Sequence, residues 1–292
     1  MKSGQRQIAL VTGCSSGIGF ETSLLLARNG VYTYATMRKL SKSVEILNHA
    51  KKESLPLETL GLDVTNEKSI SKAIEKIINE QGRIDILVNN AGYSLLGPLE
   101  ELQIDEIKEE FETNFFGVIR LIQSVLPTMR KQRYGRIINI SSVAGRIGFP
   151  LSSAYVSSKF TLEGLTESLR YEVQNFGIHA ILIEPGVIKT NFAINLRVGK
   201  DVIVLQDTKD ISSPYAEVTE KRVSALRPRI EKGLSPTKVA KVILDAAMSD
   251  NPEARYLVGQ DALKTIERRN NSSDDQFSRF IMDSVLTWDS KS

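Results

Sequence analysis

The chain has 292 residues, 41% of them hydrophobic and 25% charged, and its 38 basic and 35 acidic side chains leave a net charge of +3. That is an ordinary balance for a globular protein, too small and dispersed to argue for nucleic acid or an anionic membrane as partner. One cysteine, Cys14, excludes an intramolecular disulfide and no zinc-type cluster is present. With no signal-like apolar run in residues 1–7 and no stretch long enough to span a bilayer, the expectation is a soluble, cytoplasmic, metal-free protein.

Short β-branched runs alternate with helical patterns along the chain. Residues 8–12 read as a strand, followed by a glycine-rich turn and a helix over about 17–28. The next strand is 31–36, then a charged helical stretch at 41–52, and strand 57–62 ends before Asp63. Helix 67–81 precedes strand 84–88, and one long helix starting near Ile104 precedes strand 135–140. The helix carrying Tyr155 precedes strand 178–183. Alternation at this pitch predicts βαβ units, an α/β fold with a doubly wound parallel sheet of Rossmann type. Strands apolar along their whole length fit burial on both faces.

Between Lys189 and Leu234 the pattern breaks into mixed charge and Ser-Ser-Pro, and an excursion of that length reads as a substrate lid or loop. Ser235 is a plausible N-cap and Pro236 a first helical residue for a helix reaching Met248, with a last strand at 255–258. The tail from Arg268 is polar and charged, yet Phe277, Phe280, Ile281, Val285 and Trp288 are spaced to dock as a short amphipathic helix. The expected organisation is one α/β domain over residues 1–260, with 189–234 as lid, and a C-terminal extension over 261–292.

Thr12-Gly-Cys-Ser-Ser-Gly-Ile-Gly lies between the first strand and first helix. Gly13, Gly17 and Gly19 let the backbone turn tightly and approach a pyrophosphate, and the helix start, with Ser15, Ser16 and Ile18, offers free N–H groups to phosphate. The second strand ends Ala-Thr-Met-Arg38, where NAD-specific sites place an acid that holds the ribose hydroxyls. No acid is present, and Arg38 with the two serines suits a 2′-phosphate, so NADP(H) is favoured over NAD(H). Asp63 can accept from an adenine amino group, with Val64 covering the ring, or else cap the following helix. Small residues in Asn89-Asn90-Ala91-Gly92 permit a ribose to lie against the backbone.

Tyr155 and Lys159 are i, i+4 on a helix, so phenol and ammonium share a face. A phenol titrates near ~10. A fixed cation beside it stabilises the phenolate and makes the pair a proton-transfer device.

These motifs, with Asn114, Ser142, Pro185-Gly186 and Thr190 in order, resemble the short-chain dehydrogenase/reductase family over about the first 190 residues and part of the remaining chain. The Ala-Thr-Met-Arg strand end and the length beyond Pro185 most resemble its 17β-hydroxysteroid and retinol dehydrogenase-like branch. The resemblance implies that Tyr155 exchanges a proton with the substrate oxygen, and that Lys159 tunes Tyr155 and holds the nicotinamide ribose. It further implies that Ser142, thirteen residues before the tyrosine, hydrogen-bonds the substrate oxygen. Asn114 would position a water linking Lys159 to solvent, and Pro185, Gly186, Val187 and Thr190 would bound the carboxamide. The expected activity is carbonyl–alcohol interconversion on a hydrophobic ketone or aldehyde, in a homodimer or homotetramer built on the helices starting near Ile104 and Ser152. A 3-oxoacyl carrier-protein reductase uses the same site but usually ends sooner, and an NADP-binding regulator without catalysis typically lacks the Tyr/Lys pair. Specificity is expected in residues 95–99, 144–151 and 189–234.

Overall fold

The first strand, β1 (Ile8–Val11), shows how the architecture is set: Ile8 and Leu10 join one core while Ala9 and Val11 join another. A strand turns alternate side chains to opposite faces, so a run apolar at every position must be covered on both sides. The computed structural model describes residues 6–190, 197–198 and 213–286. In chain order β1 is followed by α1 (Gly17–Arg28), β2 (Tyr32–Met37), α2 (Val44–Lys52), β3 (Leu57–Gly61), α3 (Glu67–Gln81) and β4 (Ile86–Asn89). Next come a short β5 (Leu95–Leu96), α4 (Ile104–Phe111), α5 (Gly117–Gln132), β6 (Gly135–Ile140), α6 (Ser153–Val173) and β7 (Ile178–Pro185). The remaining elements are β8 (Arg197–Val198), α7 (Ala216–Glu231), α8 (Pro236–Met248), β9 (Arg255–Val258), α9 (Gln260–Asn270) and α10 (Asp274–Leu286).

Seven parallel strands form the main sheet in the order β3-β2-β1-β4-β6-β7-β9, and β5 pairs with β8 separately. Helices α3, α5 and α6 cover one face through stripes such as Ile70, Ala73, Ile74 and Ile77. Helices α1, α2 and α8 cover the other with Leu24, Ile46, Val239 and Ile243. Each fully buried aliphatic side chain contributes roughly 1.5–3 kcal/mol relative to exposure. Strand order reverses between β1 and β4, which opens a crevice beyond their carboxyl ends, where ligands bind in sheets of this kind. Among the described residues no helix is long and apolar enough to cross a membrane.

Two readings of the sequence change, and one alternative is decided. The long helix expected from Ile104 is interrupted at Glu112–Phe116 by a five-residue π turn, which rotates Asn114 inward. The excursion expected as a loop carries the sixteen-residue helix α7. In the described part of the tail the docked-helix reading holds in place of the loose one: α10 packs by Phe277 and Ile281 against Ala262, Ile266, Val143 and Ile147, while the Val285 side chain and Trp288 lie outside the described residues.

Candidate active site

Thr12 is the hinge between β1 and β4 at the crevice. Its Oγ1 accepts from the backbone N–H of Asn90 and Ala91, each at 3.0 Å, while Asn90 Nδ2 donates to the Thr12 and Gly13 carbonyls. This clamp leaves no room for side chains on the turn. Gly13 has φ +72°, and a Cβ there would sit 2.9 Å from the Ala91 Cα; a Cβ on Gly19 would sit 2.6 Å from the Gly13 carbonyl oxygen. Cys14 is a buried spacer whose thiol donates to the Val11 carbonyl, and burial pushes its pKa up to about 12.

A cleft of about 600 Å³ runs from this turn across the sheet edge. It is lined by Gly13, Ser15, Ser16, Gly17, Ile18, Arg38, Asp63, Val64, Asn90, Ala91 and Gly92 at one end. Ser142, Tyr155, Lys159, Pro185, Gly186 and Thr190 line the other. The expected residues Gly19, Val187 and Asn114 do not line it. Gly19 is spent on close packing with Gly13, and the Val187 N–H donates to Asp261 Oδ2 at 2.7 Å. Lys42, Thr65 and Ile188 line the cleft and were missed by the sequence reading, while Tyr93, which the sequence places near the cleft as a core aromatic, also lines it. Only Lys42 carried a signal, four residues after Arg38; both cations are exposed and make no ion pair among the described residues. Asp63 Oδ1 accepts from the Thr65 N–H and hydroxyl, while Asn66 caps α3, so the helix-cap alternative for Asp63 falls away.

At the chemical end, β6 stops at Ile140 and Ser142 opens a short turn in which its Oγ accepts from the Ala144 N–H at 3.1 Å. The Tyr155 hydroxyl hydrogen-bonds with Ser142. Ser141 faces Glu163 instead, so Ser142 is the serine presented to Tyr155. Although Tyr155 lines the cleft, its phenol is poorly solvated there; burial pushes it above the usual phenol range, Ser142 pulls it down, and Glu110 raises it again. Lys159 is buried, its Nζ donates to the Ile140 carbonyl at 2.9 Å and lies 5.7 Å from the Tyr155 ring centre. Burial brings the ammonium down to about 8, against the pull of Glu110 and Glu163.

Asn114 is 1% exposed behind this pair. Its Nδ2 donates to the Tyr93 carbonyl and to Ser158 Oγ, and its Oδ1 accepts from the Tyr93 N–H. It therefore pins the chain after β4 to α6. Deeper still, Asn89 Nδ2 donates to Asn139 Oδ1 at 2.8 Å and Asn139 Nδ2 to Thr166 Oγ1 at 2.9 Å, tying β4, β6 and α6 together. Glu110, unforeseen from sequence, uses Oε1 to accept from the Leu95 N–H at 2.8 Å. Among the described residues no group of acidic, His and Cys side chains could hold a metal.

The chain is similar to known proteins. A family described as short chain dehydrogenase matches residues 7–201. A 3-ketodihydrosphingosine reductase of Bacteroides thetaiotaomicron is 37% identical over 255 residues, covering 87% of this chain and 88% of that protein. Human 17-beta-hydroxysteroid dehydrogenase type 1 is 36% identical over 270 residues, covering 90% and 81% respectively. A short-chain dehydrogenase from Streptomyces avermitilis superposes with a TM-score of 0.79 at 28% identity, over 98% of this chain and 100% of that one. A metagenomic short-chain oxidoreductase in complex with NADP has a TM-score of 0.69 at 25% identity, covering 88% and 98%. One from Burkholderia phymatum in complex with NAD shares the fold, with a TM-score of 0.79 at 22% identity and coverage of 94% and 97%. The chain is thus an oxidoreductase belonging to the short chain dehydrogenase family.

Proposed function

We propose that the protein interconverts a carbonyl and an alcohol on a hydrophobic ketone or aldehyde, using NADP(H) in preference to NAD(H). The observation that carries this reading is the Tyr155–Ser142 hydrogen bond on the cleft wall with buried Lys159 a turn behind it. The cleft fits a dinucleotide on its own geometry: Gly13, Ser15, Ser16, Gly17 and Ile18 line it at the start of α1, where free N–H groups suit a pyrophosphate, and Arg38 and Lys42 are free for a 2′-phosphate where a carboxylate would repel it. When bound, the nicotinamide supplies or receives the hydride. Asp63 has a carboxylate oxygen that is not used in its turn, suited to an adenine amino group.

For reduction, Ser142 and Tyr155 both hydrogen-bond the substrate carbonyl oxygen, and Tyr155 gives it a proton as negative charge develops there. Lys159 stabilises the resulting phenolate, and its remaining N–H groups suit ribose hydroxyls. In oxidation the same proton returns to Tyr155. Asn114 acts by holding Tyr93 and Ser158, and so the wall opposite and the helix carrying the pair; any water relay to Lys159 would start from this amide. Outward Phe116, Phe160 and Tyr171, each at least 44% exposed, suit a homodimer or tetramer built on the helical run that starts at Ile104 and on α6.

The test is a panel of neutral ketones, aldehydes, steroids and acyl carrier-protein thioesters with NADPH or NADH, read by loss of reduced-nucleotide absorbance. Turnover of free apolar ketones with NADPH supports the reading. Turnover confined to carrier-protein thioesters favours the acyl reductase, and none at all with tight NADPH binding favours a regulator.

A further inference from the structure

Arg222 sits on the buried face of α7, 7% exposed, its guanidinium 5.8 Å from the centre of the Phe149 ring. Among the described residues it has no ion pair, and its Nε has no hydrogen-bond partner. One turn earlier on the same face, Thr219 is 1% exposed and its hydroxyl is also unpartnered. Burial brings the Arg222 guanidinium down to about 10, and the neighbouring cation Arg229 adds to the fall. Taking a guanidinium out of water without an anion is strongly unfavourable, and buried charges are retained where something pairs with them. Among the described residues Arg222 Nε and Thr219 Oγ1 thus leave two buried polar atoms without a partner on one face of α7.

The anchors of α7 show what they face. Tyr215 Oη donates to Glu100 Oε2 at 2.6 Å and Ser213 Oγ donates to Glu101, which fixes the start of α7 to the rim that follows β5. At the far end Arg229 donates to the Ser284 carbonyl of α10 at 3.2 Å. Between them Arg222 meets Phe149, and the Phe149 carbonyl accepts from the Ser152 N–H where the chain enters α6, one turn before Tyr155. Helix α7 therefore bridges the two loops that leave β4 and β6 at the carboxyl edge of the sheet, and its unpartnered pair is turned toward the loop running from Ser142 to Tyr155. The rims between carry Leu99, 61% exposed, and half-buried Phe149, which suit a hydrocarbon body.

We propose that Arg222 and Thr219 receive an anionic oxygen group at the end of the substrate remote from its reacting carbonyl, so that the substrate is an acidic amphiphile, an apolar keto or aldehydo acid. The proposal rests on the carbonyl–alcohol reading above and adds the charge of the substrate to it. A positively charged amino ketone is disfavoured at the same place.

The experiment titrates decanoate, methyl decanoate and decylammonium into the full chain by calorimetry, with and without NADPH, for the parent, Arg222→Gln, Arg222→Lys and Thr219→Val. The parent is expected to bind decanoate about ten- to a hundredfold more tightly than the ester, the span of a charge-assisted hydrogen bond. Arg222→Gln brings that ratio to near one, Arg222→Lys keeps part of it, Thr219→Val lowers it less, and decylammonium binds most weakly of the three to the parent. Equal affinity for acid and ester in the parent, or a ratio untouched by Arg222→Gln, overturns the proposal. So does a melting temperature that falls in Arg222→Gln with no change in the ratio, which assigns Arg222 to contacts within this chain. Turnover of 9-oxodecanoate and its methyl ester is read separately. Absence of NADPH oxidation with both and with every member of the panel above refutes the carbonyl–alcohol reading, whereas the calorimetric ratio needs no turnover.

Discussion

Replacing Lys159 by methionine keeps the length of the side chain and removes its charge, which isolates what the ammonium does to Tyr155. In the parent the Nζ lies 5.7 Å from the Tyr155 ring centre, a fair separation for a phenolate whose charge is spread over ring and oxygen. At an effective dielectric of about 20 the attraction is 332/(20 × 5.7), roughly 3 kcal/mol, or about 2 pKa units on the phenol. Lys159→Met should therefore move the rising limb of kcat/KM for alcohol oxidation up by about 2 pH units and cut the rate on that limb about a hundredfold. A second signature comes from the ammonium itself, which burial brings down to about 8. Below that pH the cation is present and supports the phenolate; above it the parent loses the charge too. The gap between parent and variant should then be widest near neutrality and close as pH climbs through 8. The assay is steady-state alcohol oxidation from pH 6 to 10 (as run at about 0.1 M salt) with saturating NADP. A limb that does not move, or a loss that is the same at every pH, would refute the reasoning and leave Lys159 as a nucleotide-binding residue alone.

Arg38→Asp should lower NADPH affinity at least about tenfold while sparing NADH, with Lys42→Ala acting in the same direction and less strongly. Fluorescence titration at fixed ionic strength checks this, and an unchanged NADPH-to-NADH ratio sinks the phosphate assignment. Glu163 supplies a stability prediction. Burial, then the neighbouring Glu184, pushes its carboxyl from 4.5 up to about 7, while Arg255 pulls the other way. Arg146 and Arg255 flank Glu184 at 3.2 and 3.3 Å. Between those two pH values the folded protein holds more proton than the unfolded chain, so this contribution is complete below 4.5 and is lost as pH rises through about 7. The melting temperature of the parent should fall relative to Glu163→Gln across that window; parallel curves count against it.

The sheet and most of the cleft were legible because they are written locally. A strand apolar at every position, as in residues 8–11, has one architectural solution, and the boundaries of Glu67–Gln81 and Gly135–Ile140 come from periodicity with turn residues at each end. The glycine turn was legible because only glycine tolerates the approach of Ala91 and Gly13. What escaped depends on contacts distant in sequence. Helix α7 hides behind Pro228 and an alternation of charges without a clear apolar stripe, and it is held by Glu100, Glu101 and Ser284 from elsewhere in the chain. Helix α9 is mostly charged, and only Ala262 and Ile266 show which side it buries. Asn114 could be picked out by family resemblance, yet its role in pinning Tyr93 to Ser158 depends on a π turn that no spacing rule announces. Lys42 and Glu110 look like solvated charges in sequence and become part of the site only through the fold.

The central claim is that Tyr155 moves the proton in a hydride-transfer reaction at this cleft. Single-turnover reduction of an accepted ketone by Tyr155→Phe, set beside its NADPH dissociation constant and melting temperature, tests it directly. The account predicts a loss of about a hundred- to ten-thousandfold in the chemical step, the span of general acid catalysis, with NADPH affinity and melting temperature close to the parent. A variant that keeps most of its turnover would contradict it.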